Sequence, residues 1–457
     1  MSKAHITFEE RTIELGNTTA LQIYRTLRQP NSCLLQSGGV HETVSRYSYI
    51  GIHAMKQFKG YGNRLEEIHC ATGDVFIHEG DMFELLRDVM PKVKNTTSIP
   101  MFGGLLGYIG YEVGHQPVHP KHDDLEAPDV WMNQYETIIA IDELKRTITL
   151  VQTKQFGVTP IATLDAIEAQ IANVQHDETD VAIGQFTSEA KEEYEANVEM
   201  IKRAIADGAV SQVVLSRRAA TTIEGDPLTL YERLIDNNPS PYQFYFDYGT
   251  HQFFGASPES LVKVHAGQAI MNPIAGTRRR GATEREDEAL AEELLQDEKE
   301  LDEHDMLVEQ AVDSLAQLCE RETIHVTKEK ELVKYEHVMH IVSEVEGTLR
   351  RGDEPIDALR LSFPAGTVTG EPKTVAMQMI DELETTKRGF FGGAIGYMSY
   401  ASELDFALAI RSMMITEGRA YIQAGAGIVS QSSAAREFVE TEEKMQSLVQ
   451  LSLVEER

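Results

Sequence analysis

Two pairs of glutamates have the type and spacing to do chemistry. Glu437 and Glu440 lie in AAREFVETEEKMQ (434–446), and Glu300 and Glu303 lie in KELDEHDML (299–307). Residues three apart on a helix share a face, so each pair would present two carboxylates together. Carboxylates packed without a cation repel, and some would have to take up protons. A hard divalent cation removes that conflict: Mg²⁺ prefers oxygen ligands, keeps several waters and often bridges to an anionic substrate. The plain alternative is a solvated acidic face, and for either pair alone it is the stronger reading. Lys444, four residues after Glu440, reads on the same grounds as an ordinary i, i+4 ion-pair partner. Three glycine-rich turns stand beside strand-like runs: NPIAGTRRRG (272–281), FPAGTVTGEPK (363–373) and AGAGIV (424–429). Such turns let backbone N–H groups approach an anion.

The elements that must position these groups fall into blocks. A polar seam, HDETDVAIGQFTSEA (176–190), separates an N-terminal region (1–175) from a longer one (185–457). Before it, AHITFEERTI, SRYSYIGI, GGLLGYIGYEVG, ETIIAIDE and TITLVQT read as strands with glycine bends, and 159–174 reads as a helix. After it, Thr187 or Ser188 would cap a helix carrying Tyr194, Val198, Ile201 and Ile205 at helical spacing. SQVVLSRRA, YQFYFDYG, QFFGAS and LVKVHAG follow as strands. A long charged helix is expected over about 283–319, another near 372–384, then three strands and the helix with Glu437 and Glu440. Blocks rather than strict alternation indicate α+β with large antiparallel sheets.

Composition narrows the function classes. The chain has 457 residues, 42% hydrophobic, and a net charge of −31 from 73 acidic and 42 basic residues. That balance argues against general nucleic-acid binding, which needs a basic footprint. No run of about twenty apolar residues appears, so no membrane-spanning helix is expected. The N-terminus MSKAHITFEE is polar and lacks a signal-peptide core. Cys33, Cys70 and Cys319 are scattered, form no CxxC pair, and fit a reducing cytosol.

Ten motifs in order carry a resemblance: QVVLSRR, GASPESL, PIAGTRRRG, KELDEHDMLV, YEHVMHIVSEVEGTL, FPAGTVTGEPK, GFFGGAIGY, LDFALAIR, QAGAGIV and EFVETEEK. Together they resemble the chorismate-utilising enzymes, which include anthranilate, aminodeoxychorismate, isochorismate and salicylate synthases. LLQSGG, SRYSYIG and GGLLGYIGYE resemble the anthranilate and aminodeoxychorismate branch. The resemblance implies two large antiparallel sheets forming a sandwich with helices outside, the two regions interleaving. It also implies that Glu300, Glu303, Glu437 and Glu440 form a Mg²⁺ site for the ring carboxylate of chorismate, some of them through water. Lys444 would temper their charge or contact that carboxylate. Arg411 would hold the pyruvyl carboxylate, for which a bidentate guanidinium is suited. Glu259 of the SPE motif would protonate the departing C4 hydroxyl, a step typically worth about 10²–10⁴ in rate. Thr277 would orient that hydroxyl, and His340 would take part in pyruvate elimination or support the ring carboxylate. Ala275, Gly276, Gly366, Thr367, Gly425 and Gly427 would complete the substrate cradle.

A few positions separate the branches. Water-using relatives carry a lysine base where this chain has Gln212, which favours ammonia as nucleophile. Ala275 stands where aminodeoxychorismate synthases often have lysine. The expected reaction is therefore chorismate plus ammonia to anthranilate plus pyruvate through aminodeoxyisochorismate. Aminodeoxychorismate formation, or binding without turnover, is the alternative. No Gly-x-Cys-x-Gly elbow is present, so a separate glutamine amidotransferase subunit is implied as ammonia source. Ser37, Asn238, Pro239, Ser240, Pro241 and Tyr242 match motifs lining a tryptophan inhibitor site, while Gln36 and Gln243 depart; Gln36, in place of the motif's glutamate, leaves the tryptophan amine without a charged partner. Phe391 replaces a tyrosine expected to meet the pyruvyl group, and EQAVDSLAQ (309–317) replaces the family's usual run.

Overall fold

The computed structural model describes residues 6–38, 46–93, 97–115, 117–155, 159–174, 179–188, 190–238, 240–334 and 338–452. Two long strands, Tyr47–Tyr61 and Val130–Asp142, pair antiparallel and form the spine. Their register shifts between Ala54 and Lys56, a bulge of the kind that bends a sheet. On one side of that shift the hydrogen-bonded ladder runs through Ser32–Gln36, Tyr242–Asp247, His251–Ser257, Ser412–Thr416 and Arg419–Ile428 to Gln212–Gly225. On the other it runs through Gly104–Ile109, Ala394–Ser399, Leu404–Leu408, Ser260–His265 and Gln268–Met271 to Val338–Thr348. All these ladders are antiparallel. Strands from before and after the seam are neighbours in both branches.

The two branches face each other across an apolar layer. Phe244, Phe253 and Met414 from the first meet Tyr108, Ile395 and Ala407 from the second. Tyr108 and Phe253 pack edge to face, with centroids 5.4 Å apart, a favoured aromatic geometry. Helices cover the outside. Ala20–Leu27, Pro227–Asn237 and Ala434–Val449 bury Ile23, Leu234 and Leu448 against the first branch. Met82–Val89, Glu298–Leu315 and Pro355–Ser362 bury Leu86, Leu315 and Leu359 against the second. The α+β sandwich expected from the motifs is the observed architecture. Among the described residues no helix is long and apolar enough to cross a membrane.

Several local expectations change. The charged helix is two helices, Glu284–Gln296 and Glu298–Leu315, broken at Asp297, whose carboxylate accepts from Glu300 N at 3.3 Å. Thr187–Ser188 is a short strand against Ala219 and Ala220, and the helix Lys191–Ala206 begins after Ala190 without a side-chain cap. The helix expected over 159–174 is confined to Leu164–Ile171, capped by Thr163. His340 lies on the strand Val338–Thr348; its neighbour in the motif, His337, is outside the described residues.

Candidate active site

Glu259 follows the strand His251–Ser257, and its backbone is held at both ends. Its C=O accepts from Leu408 N at 3.0 Å, and its N–H donates at 3.4 Å to Ser257 Oγ, which donates to Leu408 O at 2.7 Å. The half-buried side chain accepts from Thr367 Oγ1 at 2.8 Å. Burial pushes the Glu259 carboxyl above its ordinary range; the Thr367 hydrogen bond and the Lys444 charge pull partly back. Thr367 sits in the single 3₁₀ turn Gly366–Val368, and a side chain at Gly366 would meet open space.

The charge that acts on Glu259 belongs to Lys444. Its ammonium forms the i, i+4 ion pair with Glu440 at 2.7 Å and donates to Gly425 O at 2.9 Å. The Lys444 carbonyl in turn accepts from Arg411 Nη1 at 2.7 Å. Arg411 is not a strand residue: it precedes Ser412–Thr416 with φ +51°, a left-handed conformation costing about 1–2 kcal/mol for a residue with a Cβ. Burial holds its pKa below the usual arginine value, so it is a desolvated cation, and its charge acts on His340. That histidine sits opposite Thr277 in the ladder. Its Nδ1 is 3.0 Å from Gly276 O and must therefore carry the hydrogen. Burial, with help from Arg411, keeps the ring neutral by lowering its pKa. Gly276 adopts φ +62° at the register shift between Ala275 and Thr277. A Cβ there would stand 3.5 Å from Glu300 Oε2 and 2.9 Å from Leu294 Cδ1, which explains the need for glycine.

The two acid-bearing helices thus meet the two ends of one run of hydrogen bonds, ion pairs and charge interactions: Glu300 beside Gly276, then His340, Arg411, Lys444 and Glu440. Glu437 is buried, and burial followed by the Glu440 charge raises its pKa. Glu303 is exposed, and Glu300 Oε1 accepts from Arg278 Nη1 at 3.3 Å. Among the described residues no group of three or more His, Cys, Asp or Glu side chains is gathered to hold a metal ion. As a donor set the four carboxylates are hard oxygen ligands, the chemistry that suits Mg²⁺.

Gln212 opens its strand opposite Glu371, and its amide nitrogen occupies the place where a Cβ on Gly427 would stand, 2.6 Å away. Gly425 lies opposite Ser216 in the adjoining ladder. Phe391 is 3% exposed in the layer between the sheets, with the Arg388 guanidinium 5.5 Å from its ring. Arg388, which sequence reading passed over, is 2% exposed and paired with Glu384.

A separate cavity of about 550 Å³ opens between the branches. Ser37, Pro241 and Tyr242 line it, with Gln36 and Gln243, which face each other in the ladder. Asn238 and Ser240 precede the strand that reaches it, Ser240 Oγ donating to Asn238 Oδ1 at 3.3 Å; Pro239 is outside the described residues. Sequence reading missed Asp405 and Lys263 on the same wall. Asp405 accepts from Tyr242 Oη at 3.1 Å, and burial raises its pKa against the pull of Lys263.

Comparison with known proteins agrees with this arrangement. The family model described as chorismate binding enzyme matches residues 30–450. A protein of Acetivibrio thermocellus named anthranilate synthase component 1 is 35% identical, aligning 94% of this chain with 92% of its own. One of the same name from Lactococcus lactis is 34% identical over 96% of this chain and 99% of its own. The crystal structure of anthranilate synthase component I from Streptococcus pneumoniae superposes with a TM-score of 0.78 at 33% identity, covering 96% of this chain and 99% of that one. MenF, the menaquinone-specific isochorismate synthase of Escherichia coli, shares the fold with a TM-score of 0.74 at 18% identity, covering 98% and 95%. A chain whose motifs, sandwich and matched span all agree in this way belongs to the chorismate binding enzymes.

Proposed function

We propose that the protein converts chorismate and ammonia to anthranilate and pyruvate. The observation that carries this reading is the run of hydrogen bonds and charge interactions that links Glu259 and Thr367 to Lys444, Arg411 and His340, with Gly276 beside Glu300. It sets a carboxyl acid near the ammonium of Lys444, which is joined in turn to the desolvated guanidinium of Arg411, and this suits a substrate with two carboxylates and a hydroxyl leaving group. Arg411 takes the pyruvyl carboxylate. The carboxyl of Glu259, kept protonated to higher pH by burial, gives its proton to the C4 hydroxyl as ammonia bonds to C2, so water leaves and aminodeoxyisochorismate forms. The C2 ring proton then passes to neutral His340 as the C3–O bond breaks and the ring becomes aromatic; the departing enolpyruvate takes that proton on its methylene carbon and leaves as pyruvate. Glu300, Glu303, Glu437 and Glu440 would hold Mg²⁺, directly or through water. The ion supplies charge neutralisation for the ring carboxylate when bound.

Gln212 is the reason for choosing ammonia over water, since an amide cannot serve as a base. A glutamine amidotransferase subunit would deliver the ammonia. Tryptophan would bind the 550 Å³ cavity, where Asp405 offers its amine the carboxylate that Gln36 lacks. Phe391, apolar where a hydroxyl is expected, favours one competing reading: a relative that binds chorismate without turnover. Incubating the protein with chorismate and ammonium at high pH, with and without Mg²⁺, decides among these. Fluorescent anthranilate appearing only with Mg²⁺ is expected. Accumulated 4-amino-4-deoxychorismate, released isochorismate, or Mg²⁺-dependent binding with no product would each replace the proposal.

A further inference from the structure

Arg388 lies outside the run of contacts just described, yet it closes a ring of hydrogen bonds behind it. Its Nη1 donates to Val368 O at 2.7 Å and its Nη2 to Val214 O at 2.8 Å. Val214 N donates back to Thr369 O at 2.8 Å. The turn Gly366–Val368 and the strand Gln212–Gly225 are thereby tied at both edges, one residue from Thr367 and two from Gln212. The guanidinium is itself fixed. Glu384 accepts from its Nε at 2.8 Å and its Nη2 at 2.6 Å, and the same carboxylate accepts from Ser216 N and Oγ at 2.8 Å each. Its backbone N donates to Glu112 Oε1 at 2.8 Å, and its plane lies 4.6 Å over the Tyr111 ring. A buried ion pair is a weak device for stability, since an apolar replacement is often as good. A rigid fork that reaches two carbonyls on different segments is a good device for holding them in register.

We propose that Arg388 is a positioning residue for the reaction: by holding the 366–368 turn against the 212–225 strand it sets where the Thr367 hydroxyl meets Glu259. The inference rests on Glu259 being the acid of the proposed reaction. Lysine at 388 keeps the charge but has no fork to span Val214 O and Val368 O.

The test is a double-mutant cycle on the ammonium-dependent reaction with Arg388→Lys, Thr367→Val and the pair, with Glu259→Gln alongside. Arg388→Lys is expected to lower kcat about 10- to 100-fold while KM for chorismate moves less than about threefold. In the Thr367→Val background the same change should cost less than about threefold, because the group being positioned is already gone. Equal losses in both backgrounds would overturn the proposal, leaving Arg388 a structural residue. Should Arg388→Lys fail to fold, Glu384→Gln, which loosens the fork but keeps the arginine, is read in the same cycle against the same criterion. Wild-type activity in Glu259→Gln, or no turnover by the unaltered protein, would sink the underlying reading and this proposal with it. Additive losses beside an inactive Glu259→Gln would sink this proposal alone.

Discussion

At the scale of residues, identity and environment contribute separately. Glu259 is readable as a candidate acid from SPE, but its tendency to stay protonated comes from burial and is moderated by Thr367 and Lys444. Lys444 shows how one side chain can satisfy two readings: it is the i, i+4 partner of Glu440 and also a donor to the Gly425 carbonyl. Asp405 carries a residue-scale prediction. Asp405→Asn keeps the shape and the Tyr242 contact but removes the charge facing the cavity. If tryptophan binds there through its amine, the half-inhibitory tryptophan concentration should rise about tenfold or more, as expected for losing a charged hydrogen bond. An unchanged inhibition curve would place the amine, or the inhibitor, elsewhere.

Elements set how closely these residues approach. The strand Ala394–Ser399 is wedged between Gly104–Ile109 and Leu404–Leu408, with Gly396 opposite Gly107 on one side and Phe406 on the other. A Cβ on Gly396 would stand 2.0 Å from Asp405 O, and one on Gly107 would stand 2.0 Å from Trp131 O. Backbone cannot yield there without opening a ladder. Gly396→Ala should therefore cost about 2–4 kcal/mol of stability, within the range for disrupted packing. Because Gly396 lines the cavity and its neighbour strand carries Asp405, the inhibitor response should weaken too. Denaturant unfolding measures the first, and a wild-type midpoint would contradict the close approach. The strand 404–408 also ends at Leu408, which holds the Glu259 backbone, so one short element connects the cavity wall with the proposed acid.

For the whole molecule, charge and burial act together. Glu112 is 3% exposed, its carboxyl accepting from Arg388 N and Gly389 N, and burial raises its pKa from 4.5 to about 7. A raised carboxyl pKa means the folded state binds the proton more tightly, so stability falls as pH rises from 4.5 through about 7 and is level above. The shift corresponds to roughly 3 kcal/mol. Glu67 works the opposite way at lower pH: with Lys56, His69 and His78 overcoming its burial it is lowered to about 2, so its stabilisation is lost as pH falls from 4.5 towards 2. Glu112→Gln cannot titrate. The stability gap between wild type and this variant should shrink between pH 5 and pH 8, measured by urea unfolding at each pH. A constant gap would mean that Glu112 does not take up a proton on folding.

The sequence by itself determined the family, the α+β class and most candidate site residues, because these depend on local order: ten motifs in sequence, and apolar patterns that fit strands or helices. It could not give the break at Asp297, where a side-chain cap interrupts an otherwise helical run, or Arg411 as a left-handed residue ahead of its strand. It also gave no sign of Arg388 or Asp405, which as bare residues look like surface charge. Arg388 is made a buried brace by Glu384, Val214 and Val368, and Asp405 is brought to the cavity by a strand paired with two others. Those relations exist only after long-range ladders close. The physical reason is that residue type fixes what a group can do, while burial and partners drawn from distant segments fix its charge, its neighbours and its reach.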